Sequence, residues 1–298
     1  MTSPPTSSYV MTKPDENDEK DRLDLQHEIW LLALQNRLHT TAFTHPPKTI
    51  LDIGCGTATW ALSMAEVHPE ATITATDLHR PPKLTATTLS SSPNLRFSQF
   101  DADDLIWPFP EHTTFDFIHG RMITSGIHNW PRFLTHCSSL LTPGTGRLEL
   151  LDVSHPFRAE NAAADGEALS PFIRFGYAME RVWAANGIDY RATEKHALRL
   201  KELGFQDIVM EEVRWPLGPW VHTSEREMEL GRLNLENFGR FIRTAGVNLL
   251  MSGDDNGEER EKRMAEAQRL VDDAVRDLED DWDTNRYYLS MKIHRARK

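Results

Sequence analysis

The spacing of apolar residues changes along the chain, and each spacing predicts a different element. Between Arg22 and Phe43 they recur at intervals of three and four, which is typical of an amphipathic helix. From residue 49 onward, short apolar runs typical of buried strands alternate with segments of helical periodicity. Strands are predicted at 50–53, 71–77, 95–100, 115–119, 147–153, 205–213 and 286–293, and further helices at 57–67, 130–141, 225–245 and 258–281. This alternation predicts an α/β fold, a mostly parallel sheet with helices on both faces.

Some segments stand apart from this alternation. Residues 1–20 are polar, with three prolines and an acidic run, so they are predicted to form a disordered tail. Residues 21–298 are predicted to fold as one domain, in which inserts at about 157–203 and 218–282 form a helical cap over the ligand edge of the sheet. In the helix predicted at 258–281, an apolar stripe is expected to contact the core: Met264, Ala267, Val271, Ala274 and Leu278.

Charge and composition narrow the classes of function. The formal net charge is −12 at pH 7, and an acidic surface disfavours nucleic acid as a partner. No run of 18 or more apolar residues is present, so no membrane span is expected. The two cysteines, Cys55 and Cys137, are far apart and are expected to be free thiols. No secretory signal is visible, so the chain is predicted to be cytoplasmic, with a nuclear location as the alternative.

A glycine-rich turn, Asp52-Ile53-Gly54-Cys55-Gly56, joins the first predicted strand to the helix after it. Two glycines one residue apart let the backbone turn sharply and approach a ligand, beside the positive end of that helix. The third glycine that a dinucleotide site requires is replaced by Thr59. Asp52 is placed instead to hold an ammonium group, such as that of the methionine part of S-adenosylmethionine. The alternative is an ordinary tight turn between a strand and a helix.

Acidic residues also follow the next two predicted strands. Asp77, followed by Leu78, is expected to face a ligand beyond the carboxyl ends of the strands, where its carboxylate can accept hydrogen bonds from both hydroxyls of a ribose. After the third strand, the Asp101 side chain could bind an adenine amino group and the Ala102 backbone N–H a ring nitrogen. The alternatives are that Asp77 caps a helix or turn and that Asp101 is a solvated loop charge.

Two further residues, His119 and Arg121, end the fourth predicted strand and are expected to line the methionine side of the same site. A buried core histidine and a structural ion pair are the alternatives. His27, His119 and His128 are the candidates for a catalytic base, since imidazole titrates near neutral pH. For each of them, packing or a hydrogen bond in the cap is the alternative. The histidines show no metal-ligand spacing, so no metal site is predicted.

Taken together, these segments resemble class I S-adenosylmethionine-dependent methyltransferases, and more closely the fungal LaeA-like methyltransferases. The resemblance runs from Arg22 onward and rests on several motifs. They are Arg22-Leu23-Asp24-Leu25-Gln26-His27, Ile50 to Ala58, Pro93 to Phe97 with Asp101-Ala102 and Trp107, Phe115 to Arg121 with Trp130, and Pro216-Leu217-Gly218-Pro219-Trp220. Ala58 replaces the third glycine of the family's turn, and binding is expected to survive if the φ angle of Ala58 stays negative.

The resemblance implies a Rossmann-like class I methyltransferase fold with a seven-stranded sheet and S-adenosylmethionine as cofactor. It implies methyl transfer to O, N or S of a small molecule in fungal secondary, mycotoxin-like metabolism. The alternative is a LaeA-like nuclear regulator that acts on or with a protein partner, and a third reading is a scaffold that has lost transfer chemistry. The expected partner is a small-molecule acceptor, without nucleic acid or membrane, and a homo-oligomer or protein partner is left open.

The acceptor is expected between the sheet edge and the helices of 157–245. Aromatic residues of this region could line an apolar pocket, although most are expected to be ordinary core. They are Phe172, Phe175, Tyr177, Trp183, Trp215, Trp220 and Phe238.

Overall fold

A computed structural model describes residues 16–161, 169–252 and 259–298. The described chain forms a seven-stranded sheet in the order β3-β2-β1-β4-β5-β7-β6. The strands are β1 (Thr49–Ile53), β2 (Thr72–Asp77), β3 (Leu95–Gln99), β4 (Phe117–Arg121), β5 (Arg147–Ala159), β6 (Gln206–Pro216) and β7 (Tyr287–Arg297). Strand β7 is antiparallel to its neighbours β5 and β6, and the other pairs are parallel. The predicted mostly parallel sheet is therefore confirmed.

Helices cover both faces of this sheet. They are α1 (Glu16–Ala33), α2 (Thr59–Val67), α3 (Ala86–Ser91), α4 (Trp130–Leu140), α5 (Pro171–Ala185), α6 (His196–Glu202), α7 (Glu225–Leu250), α8 (Arg260–Asp280) and α9 (Trp282–Asn285). Trp60 and Met64 of α2 pack with Ile50 and Phe117 on one face. Leu51 points to the opposite face, into the core beneath α4 and α6. Because successive strand residues alternate between faces, one apolar run supplies both cores.

The helical cap is formed by α1, α5 and α7, with α8 packed behind α5 and α7. Its core is built on buried side chains such as Phe172, Phe175 and Ile242. The predicted insert 157–203 is too long at both ends, because β5 continues to Ala159 and α6 packs on β6 and α4 instead. Among the described residues, no helix has the length and apolar character needed to cross a membrane.

Three predicted boundaries need correction. Helix α1 begins at Glu16, so the predicted tail 1–20 overlaps it, while residues 1–15 lie outside the described residues. The helix also ends before the predicted Phe43, because Gln35 and Asn36 adopt positive φ angles of 57° and 61°, which break the helical path. Met264 is 43% exposed, so the buried stripe of α8 begins one turn later, at Ala267.

The strand order reverses between β1 and β4. From β1 the chain adds β2 and β3 on one side, and then β4 and β5 on the other. In such sheets a crevice forms at the carboxyl ends of the two strands that flank the reversal. Asp52 of β1 and His119 of β4 are direct neighbours across this point. The topology therefore brings together polar residues that are far apart in the sequence.

Candidate functional site

A cavity of about 400 Å³ opens at the carboxyl ends of the strands. Its strand-end half consists of the lining residues between 52 and 127, which belong to β1, β2 and β4, to the start of α2 and to the loops after β1 to β4. Its helical half consists of the lining residues of α1, α5 and α7 and of β5, β6 and β7. Asp52 and Asp77 both line the strand-end half. The two acids therefore share one open cavity.

The glycine turn approaches this cavity through its backbone. Gly54 has a φ of +68°, and a Cβ atom there would lie 2.7 Å from a methyl group of Ile123. Gly56 has a φ of +56°, and Ala58 has a φ of +65° just before α2. The expectation that Ala58 keeps a negative φ is therefore wrong. Ala58 is instead the left-handed N-cap residue of α2, and its N–H donates back to the carbonyl of Cys55.

Asp77 is tied to the glycine turn. The Gly56 N–H donates to its Oδ2 at 2.8 Å, and the His79 N–H lies 3.4 Å from its Oδ1. Burial raises the pKa of this carboxyl, while the backbone donors oppose that shift. Leu78 and Cys55 line the same side of the cavity, and burial raises the pKa of the Cys55 thiol, so it stays protonated. Asp77 thus faces the cavity at a fixed position instead of capping a helix.

Asp101 and Ala102 also line the cavity. The Asp103 N–H donates to Asp101 Oδ1 at 2.8 Å, and burial raises the pKa of Asp101. Asp103 itself holds the start of the next loop, because it accepts from the backbone N–H of His128 at 3.2 Å. The His128 ring lies beside Asp103 and does not contribute to the cavity lining. The structure therefore separates His128 from the other predicted site residues. Its contacts with Asp103 hold the loop that follows a short 3-10 helix at Thr124–Gly126.

Asp52 and His119 form a buried pair in the strand-end half. His119 Nδ1 lies 2.8 Å from Asp52 Oδ1, and its ring stacks on Trp60 with centroids 3.8 Å apart. Burial raises the pKa of Asp52 to about 7 and lowers that of His119 well below its usual value. Asp52 Oδ2 has no hydrogen-bond partner among the described residues. His119 thus orients Asp52 through its Oδ1 atom, and the Oδ2 atom remains without a partner among the described residues.

Arg121 is the cation of this site. Its Nη2 donates to His27 Nδ1 at 3.1 Å, and its guanidinium lies 5.8 Å from the centroid of a Trp30 ring. Within the described chain no carboxylate oxygen lies within 4.0 Å of it. Burial next to Arg121 lowers the pKa of His27 to about 4, so His27 is neutral at pH 7. The cavity therefore offers a positive charge without an ion-pair partner.

Helix α1 is fastened over the glycine turn. Thr57 and Thr59 donate from their hydroxyls to Asp24 Oδ1, at 2.8 Å and 2.9 Å, and Lys83 Nζ lies 2.6 Å from Asp24 Oδ2. Leu23 approaches Gly56 from the same helix. The six-residue motif at 22–27 thus has a physical role, because its side chains connect α1 to the turn and to Arg121.

Aromatic side chains dominate the helical half. Of the seven aromatic residues singled out from the sequence, Trp183, Trp215 and Phe238 line the cavity. Phe172 and Phe175 are fully buried behind it, and the remaining two, Tyr177 and Trp220, also lie outside the lining. As expected, a minority of these residues faces the cavity.

Three polar residues in this apolar half were not singled out from the sequence: His155, Asn234 and Asn237. His155 is 2% exposed, and neither ring nitrogen has a hydrogen-bond partner in the described ranges. Asn234 and Asn237 are 2% and 4% exposed in the middle of α7. The sequence did contain a signal for them, since two asparagines three residues apart in a long helix lie on one face and favour helix poorly.

No group of three or more His, Cys, Asp and Glu residues in the described chain could hold a metal ion.

Known proteins are similar to this chain in sequence. The model of a methyltransferase domain family matches residues 25–207. The chain belongs to this family. "Secondary metabolism regulator laeA" of Fusarium oxysporum f. sp. lycopersici is 31% identical over 72% of this chain and 67% of that protein. "Methyltransferase pytC" of Aspergillus terreus is 29% identical over 76% of this chain and 66% of that protein. The chain thus spans slightly less than two thirds of the pytC protein.

A solved structure is also similar, at lower identity. The YcgJ protein of Bacillus subtilis is 15% identical to this chain, with a TM-score of 0.49, over 92% of this chain and 99% of that chain.

The predicted membership in the LaeA-like methyltransferase family is confirmed by the family model and the laeA relative, and the predicted class I fold is confirmed by the order of the seven strands. All the predicted cofactor-binding residues line its cavity: Asp52, Gly54, Cys55, Gly56, Asp77, Leu78, Asp101, Ala102, His119 and Arg121. Of the predicted catalytic histidines, His27 and His119 line the cavity and His128 does not.

Proposed function

We propose that this methyltransferase uses S-adenosylmethionine to methylate O, N or S of a small molecule, in fungal secondary metabolism of the mycotoxin-producing kind. One observation carries the proposal. Asp52, Asp77 and Arg121 line the same open cavity. The glycine turn beside them presents backbone to this cavity, because Gly54 and Gly56 have no side chains. Two separated acids and a cation without an ion-pair partner match a ligand that bears a ribose, an ammonium and a carboxylate.

The residues present fit this cofactor. Asp77 would accept from the ribose hydroxyls, and Asp101 with the Ala102 N–H would bind the adenine. Asp52 Oδ2, which has no partner in the described residues, would accept from the ammonium group. Arg121 would bind the carboxylate of the ligand, because none of the described Asp or Glu side chains forms an ion pair with Arg121. Each polar part of the ligand thus has a matching group on the wall.

When bound, the cofactor supplies an electrophilic methyl group. The chain's own part is to align the acceptor and to exclude water, for which α1 covers the glycine turn. His27 Nδ1 accepts from Arg121, so the proton of the neutral ring lies on Nε2, which makes that nitrogen a hydrogen-bond donor. His119 orients Asp52. We therefore propose these two histidines as positioning residues and assign no base among the three predicted ones.

A second candidate function follows from the relatives. The laeA protein of Fusarium oxysporum is named a secondary metabolism regulator, so a nuclear role on or with a protein partner is the alternative. The described part of the chain favours the metabolite enzyme, because aromatic and other apolar side chains of α5, α7 and β5 line the acceptor side of the cavity. We propose a cytoplasmic location, in keeping with the two free thiols at Cys55 and Cys137. Whether it forms an oligomer is left open.

Two measurements test the proposal. Calorimetry should show that the full chain binds S-adenosylmethionine and S-adenosylhomocysteine. Incubation with S-adenosylmethionine labelled in its methyl group and a fungal metabolite extract should yield products that gain the label, read by mass spectrometry. The Asp77→Ala variant serves as the control and should bind S-adenosylmethionine about a hundredfold more weakly and yield correspondingly less labelled product. Absence of binding to the unaltered chain would overturn the proposal.

A further inference from the structure

We propose that the helical half of the cavity binds an uncharged aromatic acceptor that carries both a carbonyl oxygen and a hydroxyl group. The inference rests on the proposed function, because it names the class of molecule that receives the methyl group. Three properties of the helical half support it: its charge balance, its aromatic walls and its buried amides.

The helical half carries no unbalanced charge among its described lining residues. Glu19 and Arg22 are its charged members, and the Arg22 guanidinium donates twice to the Glu19 carboxylate, at 2.6 Å and 2.7 Å. Burial lowers the pKa of His155 well below its usual value, so this ring is neutral at pH 7. A cationic or anionic acceptor would lose its hydration here without gaining a partner, which is costly. An uncharged acceptor avoids this cost.

The walls around this space are rings. Phe157, Trp183, Trp215, Phe238 and Phe241 come from four different elements, β5, α5, β6 and α7, and all line the cavity. Phe157 stands edge-on to Phe238, with centroids 5.1 Å apart, and Phe241 lies 5.5 Å from Phe238. Rings held by other rings make a rigid apolar slot, and aromatic faces and edges pack favourably with a flat ring. The slot therefore suits a planar aromatic molecule.

The buried amides supply the polar specificity. Asn234 and Asn237 lie on the cavity face of α7, and Arg22 Nη1 donates to Asn237 Oδ1 at 3.4 Å. Asn234 Nδ2 is buried and has no partner among the described residues. A buried amide N–H without a partner costs about 1–3 kcal/mol. A carbonyl oxygen on the acceptor would satisfy this donor, so the site gains most from a ligand that provides one.

His155 supplies a second polar contact. Its ring stacks on Tyr190 and packs against Phe157, with centroids 3.3 Å and 5.1 Å apart, so its orientation is fixed. Positions 153, 155 and 157 of β5 all line the cavity, as strand residues on one face do. A neutral imidazole has one nitrogen that accepts a hydrogen bond. A hydroxyl group on the acceptor would donate to this nitrogen.

The test uses four naphthalene probes that share one ring system: naphthol, hydroxyacetonaphthone, naphthoate and naphthylmethylammonium. Their binding to the full chain saturated with S-adenosylhomocysteine is followed by quenching of tryptophan fluorescence, because Trp183 and Trp215 line the slot. We expect hydroxyacetonaphthone to bind most tightly, naphthol next, and both charged probes at least about tenfold more weakly than naphthol.

Variants separate the amide contact from general packing. Asn234→Leu should lower the affinity for hydroxyacetonaphthone by about tenfold, because the variant loses the donor to its carbonyl oxygen. The affinity for naphthol should be almost unchanged, since naphthol has the same ring system and hydroxyl group but no carbonyl. Asn234→Asp should improve binding of the ammonium probe. Asn248→Leu is the matched control, because Asn248 is exposed on the same helix, and it should change neither affinity. Thermal unfolding of each variant verifies that it is folded.

Several results would overturn the inference. One is equal or tighter binding of a charged probe by the unaltered chain, and another is the absence of binding by all four probes. Equal losses of affinity for naphthol and for hydroxyacetonaphthone in the Asn234→Leu variant would also contradict the inference. The proposed function fails independently, if calorimetry shows no binding of S-adenosylhomocysteine while the neutral probes still bind.

Discussion

The two halves of the cavity are built in opposite ways. In the strand-end half, short segments next to strand ends supply backbone donors and acids, and Asp77 is held by the N–H of Gly56. In the helical half, the walls come from elements far apart in the sequence, and two buried polar groups, the Asn234 amide nitrogen and the His155 ring, lack partners in the described chain. A ligand of constant chemistry, such as the proposed cofactor, can be bound by short sequence motifs. A ligand that varies among related proteins, such as the acceptor, is bound by walls that tertiary packing assembles.

The largest effect is expected in the core behind the helical half. Phe172 is fully buried and stacks on Phe157, so Phe172→Ala leaves a void and should reduce the free energy of unfolding by about 3–5 kcal/mol. Leu105→Ala is the control, because Leu105 is 72% exposed, and it should change stability by less than about 0.5 kcal/mol. Denaturant titration measures both. Similar losses in both variants would show that the helical half is not a packed core.

The next effect concerns the strand-end half. Asp77→Ala removes the proposed ribose acceptor and should weaken S-adenosylmethionine binding about a hundredfold, equivalent to about 3 kcal/mol. Calorimetry gives the affinity. Asp104→Ala, an exposed acid of the next loop, should leave it unchanged. Unaltered affinity in Asp77→Ala would remove the ribose assignment and with it the contrast between the halves.

Arg121 lies where the two halves meet, because it belongs to the strand-end half and contacts His27 of α1. Its replacement tests whether it binds the carboxylate of the cofactor. Arg121→Met should weaken S-adenosylmethionine binding by about 10- to 100-fold, because it removes a charge-assisted hydrogen bond to the carboxylate. Methylthioadenosine lacks that carboxylate, so its affinity should not change. Arg96→Met, at an exposed position of β3, is the matched control. If both ligands lose affinity equally, Arg121 supports the site in another way.

A smaller effect is expected from pH. Burial raises the pKa of Asp52 to about 7, so its carboxyl is mostly protonated at pH 6 and mostly ionised at pH 8. An ammonium group binds the ionised form, so cofactor affinity should fall about tenfold from pH 8 to pH 6. Asp52→Asn should bind weakly and without this pH dependence. A flat profile in the unaltered chain would show that Asp52 does not meet the ammonium.

The smallest effect is expected at the turn itself. Ala58→Gly relieves the left-handed strain of about 1 kcal/mol, but it removes a buried methyl group and makes the unfolded chain more flexible. These terms oppose each other, so stability should change by less than about 1 kcal/mol, as measured by thermal unfolding. Ala58→Val should be clearly destabilising, because a branched side chain tolerates this backbone poorly. The opposite ranking would contradict the strain argument.

The sequence allowed the residues that line the strand-end half to be named in advance, for a physical reason. Its residues follow strands directly, and parallel strands deliver their carboxyl ends to one edge, so Asp77 and Asp101 had to meet there. The left-handed φ of Ala58 was missed, because the residue type alone suggests ordinary backbone. His128 was misplaced for a related reason, since only the fold shows that Asp103 holds its loop.

The helical half could not be predicted in the same way. Trp183, Trp215 and Phe238 belong to three different elements, and which face of each element meets the cavity depends on how α5 and α7 cross the sheet. Phe172 and Phe175 have the same character in the sequence but are buried behind the wall. Local periodicity cannot distinguish a residue that lines a space from one that fills it.

The fastening of α1 affects how this protein can be shortened. The family match begins at residue 25 and ends at 207, so a chain cut to those limits loses Asp24 and the whole of α7. Loss of Asp24 frees the hydroxyls of Thr57 and Thr59 and leaves Lys83 without its carboxylate. Loss of α7 removes Asn234, Asn237 and two of the rings. A shortened chain that keeps both halves of the cavity therefore has to begin before Glu19 and extend through β7.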